Sequence, residues 1–175
     1  MLKNIVISGV VIVAGVLAYA GMRPNSFRIQ RSASIHASPD KIFSLIDDFH
    51  HWAEWSPWEK LDPDLKRTFS GPPAGVGTIY EWDGNKKVGT GRMEILSTAP
   101  ASRLEIKLDF LKPFEAHNTA EFTLTPNGAD TEVVWAMHGP APYITKLMGV
   151  FVSMDSLLGK DFETGLANLK AVAER

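Results

Sequence analysis

Alternation at every second position is the feature that most limits what this chain can fold into. In RLEIKLDF, Leu104, Ile106, Leu108 and Phe110 fall on one face and Glu105, Lys107 and Asp109 on the other. The same period groups Ala116, Asn118, Ala120, Phe122 and Leu124 in AHNTAEFTLT, and Thr131, Val133, Trp135 and Met137 in TEVVWAMHG. A period of two marks a half-buried strand. Pro126-Asn127-Gly128 reads as one turn. Asp83-Gly84-Asn85 reads as another, supplying positive-φ residues to a hairpin in VGTIYEWDGNKKVGTGRMEIL. Strands with one apolar face and short connections form an antiparallel meander that needs a cover on one side.

The cover is expected at the C-terminal end. After Pro140 and Pro142 the pattern is helical, with a break near Ser153. Met154, Leu158, Phe162, Gly165, Leu166, Leu169 and Val172 form one stripe, with Lys160, Glu163, Lys170 and Glu174 opposite. Gly159 and Gly165 each cost up to about 1 kcal/mol relative to alanine inside a helix. Their presence predicts a compensation, either close approach to the sheet or space kept open beneath the helix. Upstream, FRIQRSASIHA (Phe27 to Ala37) reads as a strand with Ile29, Ala33 and Ile35 on one face, and Arg31 unusually on that face too. Ser38 is a good N-cap, Pro39 fits the first helical position, and Ile42, Phe43, Leu45 and Ile46 form a short stripe. Pro63, Pro72 and Pro73 mark a loop-rich connection. The expected class is α+β, a curved antiparallel sheet wrapped around a long C-terminal helix.

The N-terminus differs in character. Ile5 to Met22 contains no charged residue, between Lys3 and Arg23-Pro24. Its length is near the lower limit of roughly 17–25 residues for a spanning helix. Residues 1–24 therefore read as a single membrane anchor ahead of a domain over 25–175. The rival is a secretory signal cleaved after Ala18-Tyr19-Ala20. Lys3 argues for one orientation, and Arg23, Arg28 and Arg31 for the other.

Other classes find little support. Net charge is −2 with Lys and Arg dispersed, so no nucleic-acid partner is expected. The chain has no cysteine, which removes disulfides, thiolate metal sites and thiol nucleophiles together. No Gly-x-Ser-x-Gly and no Walker loop is present; Gly75-x-Gly77 and Gly89-x-Gly91 fall in the hairpin strands, where they relieve strain in a bent sheet. His50 and Glu54 have the spacing of two metal ligands on a helix but lack a third, and alternation turns His36, His117 and His138 outward. No metal and no cofactor is expected.

Three of the five tryptophans fall in HHWAEWSPW, three residues apart. Trp52, Trp55 and Trp58 cannot share one α-helical face at that spacing, and Pro57 ends any helix there. A tight, partly 3₁₀-like path stacks them on one side. They either plug the end of the core or line a pocket, with Trp55 and Trp58 closing its mouth.

The stretches RSASIHASPDKIFSLIDDFHHWAEWSPW, GVGTIYEWDGNKKVGTGRMEI and LLGKDFETGLANLK resemble the first strand and helix, the central hairpin and the gripping helix of the SRPBCC superfamily. That superfamily comprises START-like, pollen-allergen-like and polyketide cyclase/dehydrase-type proteins of the helix-grip fold. The resemblance implies an elongated apolar cavity between sheet and C-terminal helix. It brings no strict catalytic motif, and no catalytic residue is assigned. Cavity candidates are Arg31, Trp55, Trp58, Tyr80, Trp82, Asn118, Trp135, Leu158 and Phe162. Asp155 and Asp161 flank the helix stripe, and Asp161 or another acid is the expected partner of Arg31. The leading expectation is a membrane-anchored binding module for an apolar small molecule or lipid. A second is a cyclase, dehydrase or isomerase acting on a polyketide-like or aromatic substrate, with Arg31, Tyr80 and Asn118 polarising a carbonyl. A third is a protein-interaction domain of the chaperone-regulator kind.

Overall fold

The computed structural model describes residues 2–175, apart from the side chains of residues 2, 5 and 6. Helix α1 covers Leu2–Met22, and strand β1 covers Ser26–Ile35. Helix α2, Pro39–Ile46, starts where Ser38 Oγ accepts from the Lys41 amide at 3.3 Å, with Pro39 in the first turn. A 3₁₀ turn at Phe49–His51, helix α3 at Trp52–Trp55 and a second 3₁₀ turn at Pro57–Lys60 carry the tryptophan segment. Then follow β2 (Lys66–Ser70), β3 (Ile79–Asp83), β4 (Thr90–Ala99), β5 (Arg103–Lys112), β6 (Ala116–Asn127) and β7 (Asp130–Pro140). Helices α4 (Tyr143–Met148) and α5 (Met154–Ala173) close the chain, with Ser153 capping α5 through the Ser156 amide at 3.0 Å.

All seven strands pair antiparallel in the order β1-β7-β6-β5-β4-β3-β2. The register keeps Ala120 beside Met137 and Phe122 beside Trp135, so the inward rows are continuous across β6 and β7. Two register shifts between β4 and β5, at Thr90/Gly91 and Ile95/Ser97, interrupt the ladder, an irregularity of the kind that bends and twists a strand pair. The core fills the concave side, from Ile35 and Ile42 through Trp55, Ile106 and Phe122 to Phe162, Leu166 and Leu169.

Both helix glycines are explained by close approach. A Cβ at Gly165 would sit 2.6 Å from Trp135 Cζ3, and one at Gly159 would collide with the Arg31 guanidinium. Arg31 lies across the α5 N-terminal turns. Its Nη1 and Nη2 donate to the Asp155 carboxylate at 2.7 and 3.1 Å, and its Nε donates to Glu163 at 2.8 Å. Hydrogen bonds to Asp155 and then Glu163 push the Arg31 pKa up, and the bond from Arg31 holds Asp155 below the usual aspartate range. Arg31 thus clamps β1 to α5, and Asp161 is not its partner.

Three further expectations change. The connection after the tryptophans contains β2, an edge strand paired with β3 through Phe69 and Tyr80. Its sequence, KRTFS, carries one apolar side chain and gives no alternation to read. In the β3–β4 link the left-handed residue is Gly89, with φ 65°, rather than Gly84 or Asn85. Gly75 and Gly77 lie before β3 with φ of 78° and 86°, in the loop rather than in a strand.

The N-terminal run forms helix α1. Among the described residues no helix is long and apolar enough to cross a membrane. The side chains of Ile5 and Val6, part of the run read from the sequence, lie outside the described residues. The anchor expected from the sequence is therefore not supported by the structure.

Candidate functional site

Between the sheet and α5 lies a cavity of about 240 Å³. Strands β3 to β7 contribute Tyr80, Trp82, Met93, Leu108, Phe110, Ala120, Trp135 and Met137; α5 contributes Leu158 and Phe162; the tryptophan segment contributes Trp52, Ser56, Trp58 and Glu59. Alternation puts the strand residues there, and the period of α5 brings Leu158 and Phe162 to the same side.

The aromatic wall is ordered by contacts between rings. Trp135 stacks on Phe162 with centroids 4.2 Å apart and 12° between planes, and on Phe122 at 5.1 Å and 19°. Trp58 meets Trp135 edge-on at 5.7 Å. Trp52 Nε1 donates to the Ile46 carbonyl at 3.1 Å, Trp55 Nε1 to Leu45 at 2.9 Å and Trp82 Nε1 to Val88 at 3.1 Å. Trp135 Nε1 is buried and has no partner among the described residues.

A buried carboxylate interrupts the largely apolar wall. Glu59, whose side chain is only 7% exposed, accepts from Tyr80 Oη at 2.6 Å and from Arg67 Nε at 2.7 Å. Arg67 also donates from Nη2 to the Glu59 carbonyl at 3.2 Å. Burial, and then the bond to Glu59, push the Tyr80 hydroxyl well above the usual phenol range, so it stays a neutral donor near neutral pH. The bond to Glu59 likewise pushes Arg67 up. The group can orient a polar end of a ligand or exchange a proton with it. Glu59 is absent from the sequence-based candidates because SPWEK looks like a solvated turn. The available signal is the 3₁₀ period, which places Ser56 and Glu59 on one side.

Six of the nine candidates, Trp58, Tyr80, Trp82, Trp135, Leu158 and Phe162, line this cavity. Three are elsewhere. Arg31 is committed to the clamp on α5. Trp55 is fully buried in the core between Trp52, Phe122 and Trp135, and its carbonyl accepts from Asn168 of α5 at 3.0 Å. Asn118 packs against Gly139 beside a shallow hollow bordered by Lys107, His117 and His138. Arg31, Tyr80 and Asn118 therefore do not converge on one spot. Among the described residues no cluster of three or more metal-ligating side chains is present.

The fold has solved counterparts. The protein CV1439 from Chromobacterium violaceum is 17% identical, with a TM-score of 0.58 over 87% of this chain and 99% of its own. The Aha1 dimer from Colwellia psychrerythraea gives 18% identity and a TM-score of 0.58, covering 85% of this chain and 96% of its own. BexL, a di-domain ARO/CYC from the BE-7585A biosynthetic pathway, gives 16% identity and a TM-score of 0.63, covering 91% of this chain and 53% of its own. At these identities the likeness is one of fold. No curated protein matches the sequence. Residues 26–174 match the family described as polyketide cyclase / dehydrase and lipid transport, and the chain belongs to that family.

Proposed function

We propose that the domain binds a compact, apolar, ring-bearing small molecule in the cavity beneath α5. The observation that carries this reading is an apolar space of about 240 Å³, walled by aromatic rings, beside the hydrophobic core. Such a space is the usual form of a small-molecule site. That volume is small beside the roughly 300–1,000 Å³ of sites for drug-sized ligands, which favours a compact ligand over a two-chain lipid. Titration calorimetry of the full chain with naphthalene is expected to give saturable one-to-one binding with tryptophan quenching. Ala120→Phe, which places a ring in the space, is expected to abolish binding while far-ultraviolet circular dichroism is retained. An absence of saturable binding to the unaltered protein would overturn the reading.

A second reading, a cyclase, dehydrase or isomerase, is favoured by the Tyr80–Glu59 pair in the wall. A proton acceptor beside a phenol donor suits enolisation or dehydration of a carbonyl compound.

Membrane attachment is a separate part of the proposal. It is supported by the exposure of Val10, Val11, Ile12, Val13 and Leu17 on α1, and of Ile144, Met148 and Phe151 on or beside α4. Tyr143 Oη donates to the Leu17 carbonyl at 2.9 Å, joining the two helices in one apolar surface. The full chain is expected to float with phosphatidylcholine vesicles, and to stay behind when Val11 and Val13 are replaced by Asp. An intact mass beginning at Gly21 in protein from its host would instead identify a cleaved signal.

A further inference from the structure

We infer that Ser56 selects ligands by an oxygen substituent on the ring system, a phenolic hydroxyl or a carbonyl, which hydrogen-bonds its side-chain hydroxyl. This rests on the cavity being a binding site and specifies the chemistry of its occupant. Ser56 lines the cavity and is 3% exposed. It opens the Pro57–Lys60 turn, a position where a serine oxygen ordinarily accepts from an amide two or three residues on. Ser38, Asp48 and Ser153 do so at the starts of their own turns, accepting at 3.3, 2.9 and 3.0 Å. Ser56 makes no such bond.

Its hydroxyl is reachable. Trp135 Nε1 is the one fully enclosed side-chain nitrogen or oxygen without a partner among the described residues. The Ser56 hydroxyl, also without one, therefore keeps accessible surface, and the cavity is the open space that Ser56 borders. The other polar groups of the wall differ. Among the buried lining residues Trp52 and Tyr80 are paired, and Trp135 Nε1 is shut away. Glu59 is engaged by Tyr80 and Arg67, Trp58 is only partly buried, and Lys87 is exposed to water. Ser56 alone combines burial, an unbonded group and accessible surface. A hydrocarbon that fills the cavity closes this hydroxyl off from water without replacing the bond. An oxygen on the ligand restores it, and because a hydroxyl both donates and accepts, a phenol or a carbonyl serves. The site thus discriminates by chemistry as well as by shape.

Naphthalene, 1-naphthol and 2-naphthol test this. They share one ring system, and the naphthols carry the oxygen at its two distinct positions. Ser56→Ala removes the hydroxyl and nothing else. Because that hydroxyl caps nothing, the urea midpoint of the full chain is expected to stay unchanged, and naphthalene affinity is expected not to fall. Affinity for at least one naphthol is expected to fall about five-fold, the worth of one hydrogen bond. Comparing each ligand between the two proteins cancels the difference in their hydrophobicity. A lower midpoint or a failure to fold would show the hydroxyl at work in the fold and overturns the inference. A loss of affinity shared equally by all three ligands, or absent from all three, also overturns it and leaves the cavity reading standing. Failure of the unaltered protein to bind naphthalene and both naphthols overturns both.

Discussion

Trp55→Ala is expected to destabilise the domain by about 3–5 kcal/mol, and Trp58→Ala by clearly less. Trp55 is fully buried and touches Trp52, Phe122 and Trp135 with its ring. Its Nε1 donates to Leu45, and its carbonyl accepts from Asn168, so α2, α3 and α5 meet on this residue. Truncation empties a volume that three elements enclose and leaves the Leu45 carbonyl without that donor. Trp58 is only partly buried, and its ring already borders empty space, so its loss enlarges a cavity rather than creating one. Urea denaturation followed by circular dichroism measures the difference. Equal losses at both positions would show that Trp58 is core and that the two tryptophans do not divide between support and lining. Ligand affinity should rank them oppositely, Trp58→Ala weakening naphthalene binding directly.

That division explains what was legible in the sequence. Alternation fixes which face a strand residue takes, and it placed Tyr80, Trp82 and Trp135 on the concave side together with the helix residues Leu158 and Phe162. It carries no information on depth or on position along the strand. Arg31 and Asn118 satisfy the same parity, yet one sits under α5 near its N-terminal turns and the other lies against Gly139. A spacing of three suggested a 3₁₀-like path for the tryptophans and gave no means of telling Trp55 from Trp58. Glu59 and Arg67 were hidden for a different reason. Each reads as an ordinary surface charge, and only the tertiary fold, which lays the turn after Trp58 over β2 and β3, buries their pairing. The glycines of α5 were informative because an unfavourable helix residue demands a compensation, and both contacts, with Arg31 and Trp135, supply one.

Removing the Glu59 carboxylate should be the most disruptive polar change near the cavity. Glu59→Ala is expected to cost about 2–4 kcal/mol, because it leaves two donors that had been paired at 2.6 and 2.7 Å. The lower half of that range is favoured, since the Arg67 side chain is 31% exposed and can turn to water, whereas Tyr80 is 3% exposed and cannot. Tyr80→Phe leaves the Glu59–Arg67 pair intact and should cost only about 1 kcal/mol. The double variant should cost less than the sum, as the two residues share a bond. Alkaline pH offers an independent check. The folded-state Tyr80 pKa is raised, so its contribution is complete below pH 10, the ordinary phenol value, and is lost as pH rises beyond it toward the folded-state value. Stability against pH should therefore fall less steeply above pH 10 in Tyr80→Phe than in the unaltered protein. Function separates the two readings at the same residue. If the domain only binds, Glu59→Gln changes affinity alone; if it catalyses proton transfer, Glu59→Gln retains ligand affinity and loses turnover by about 10²–10⁴-fold.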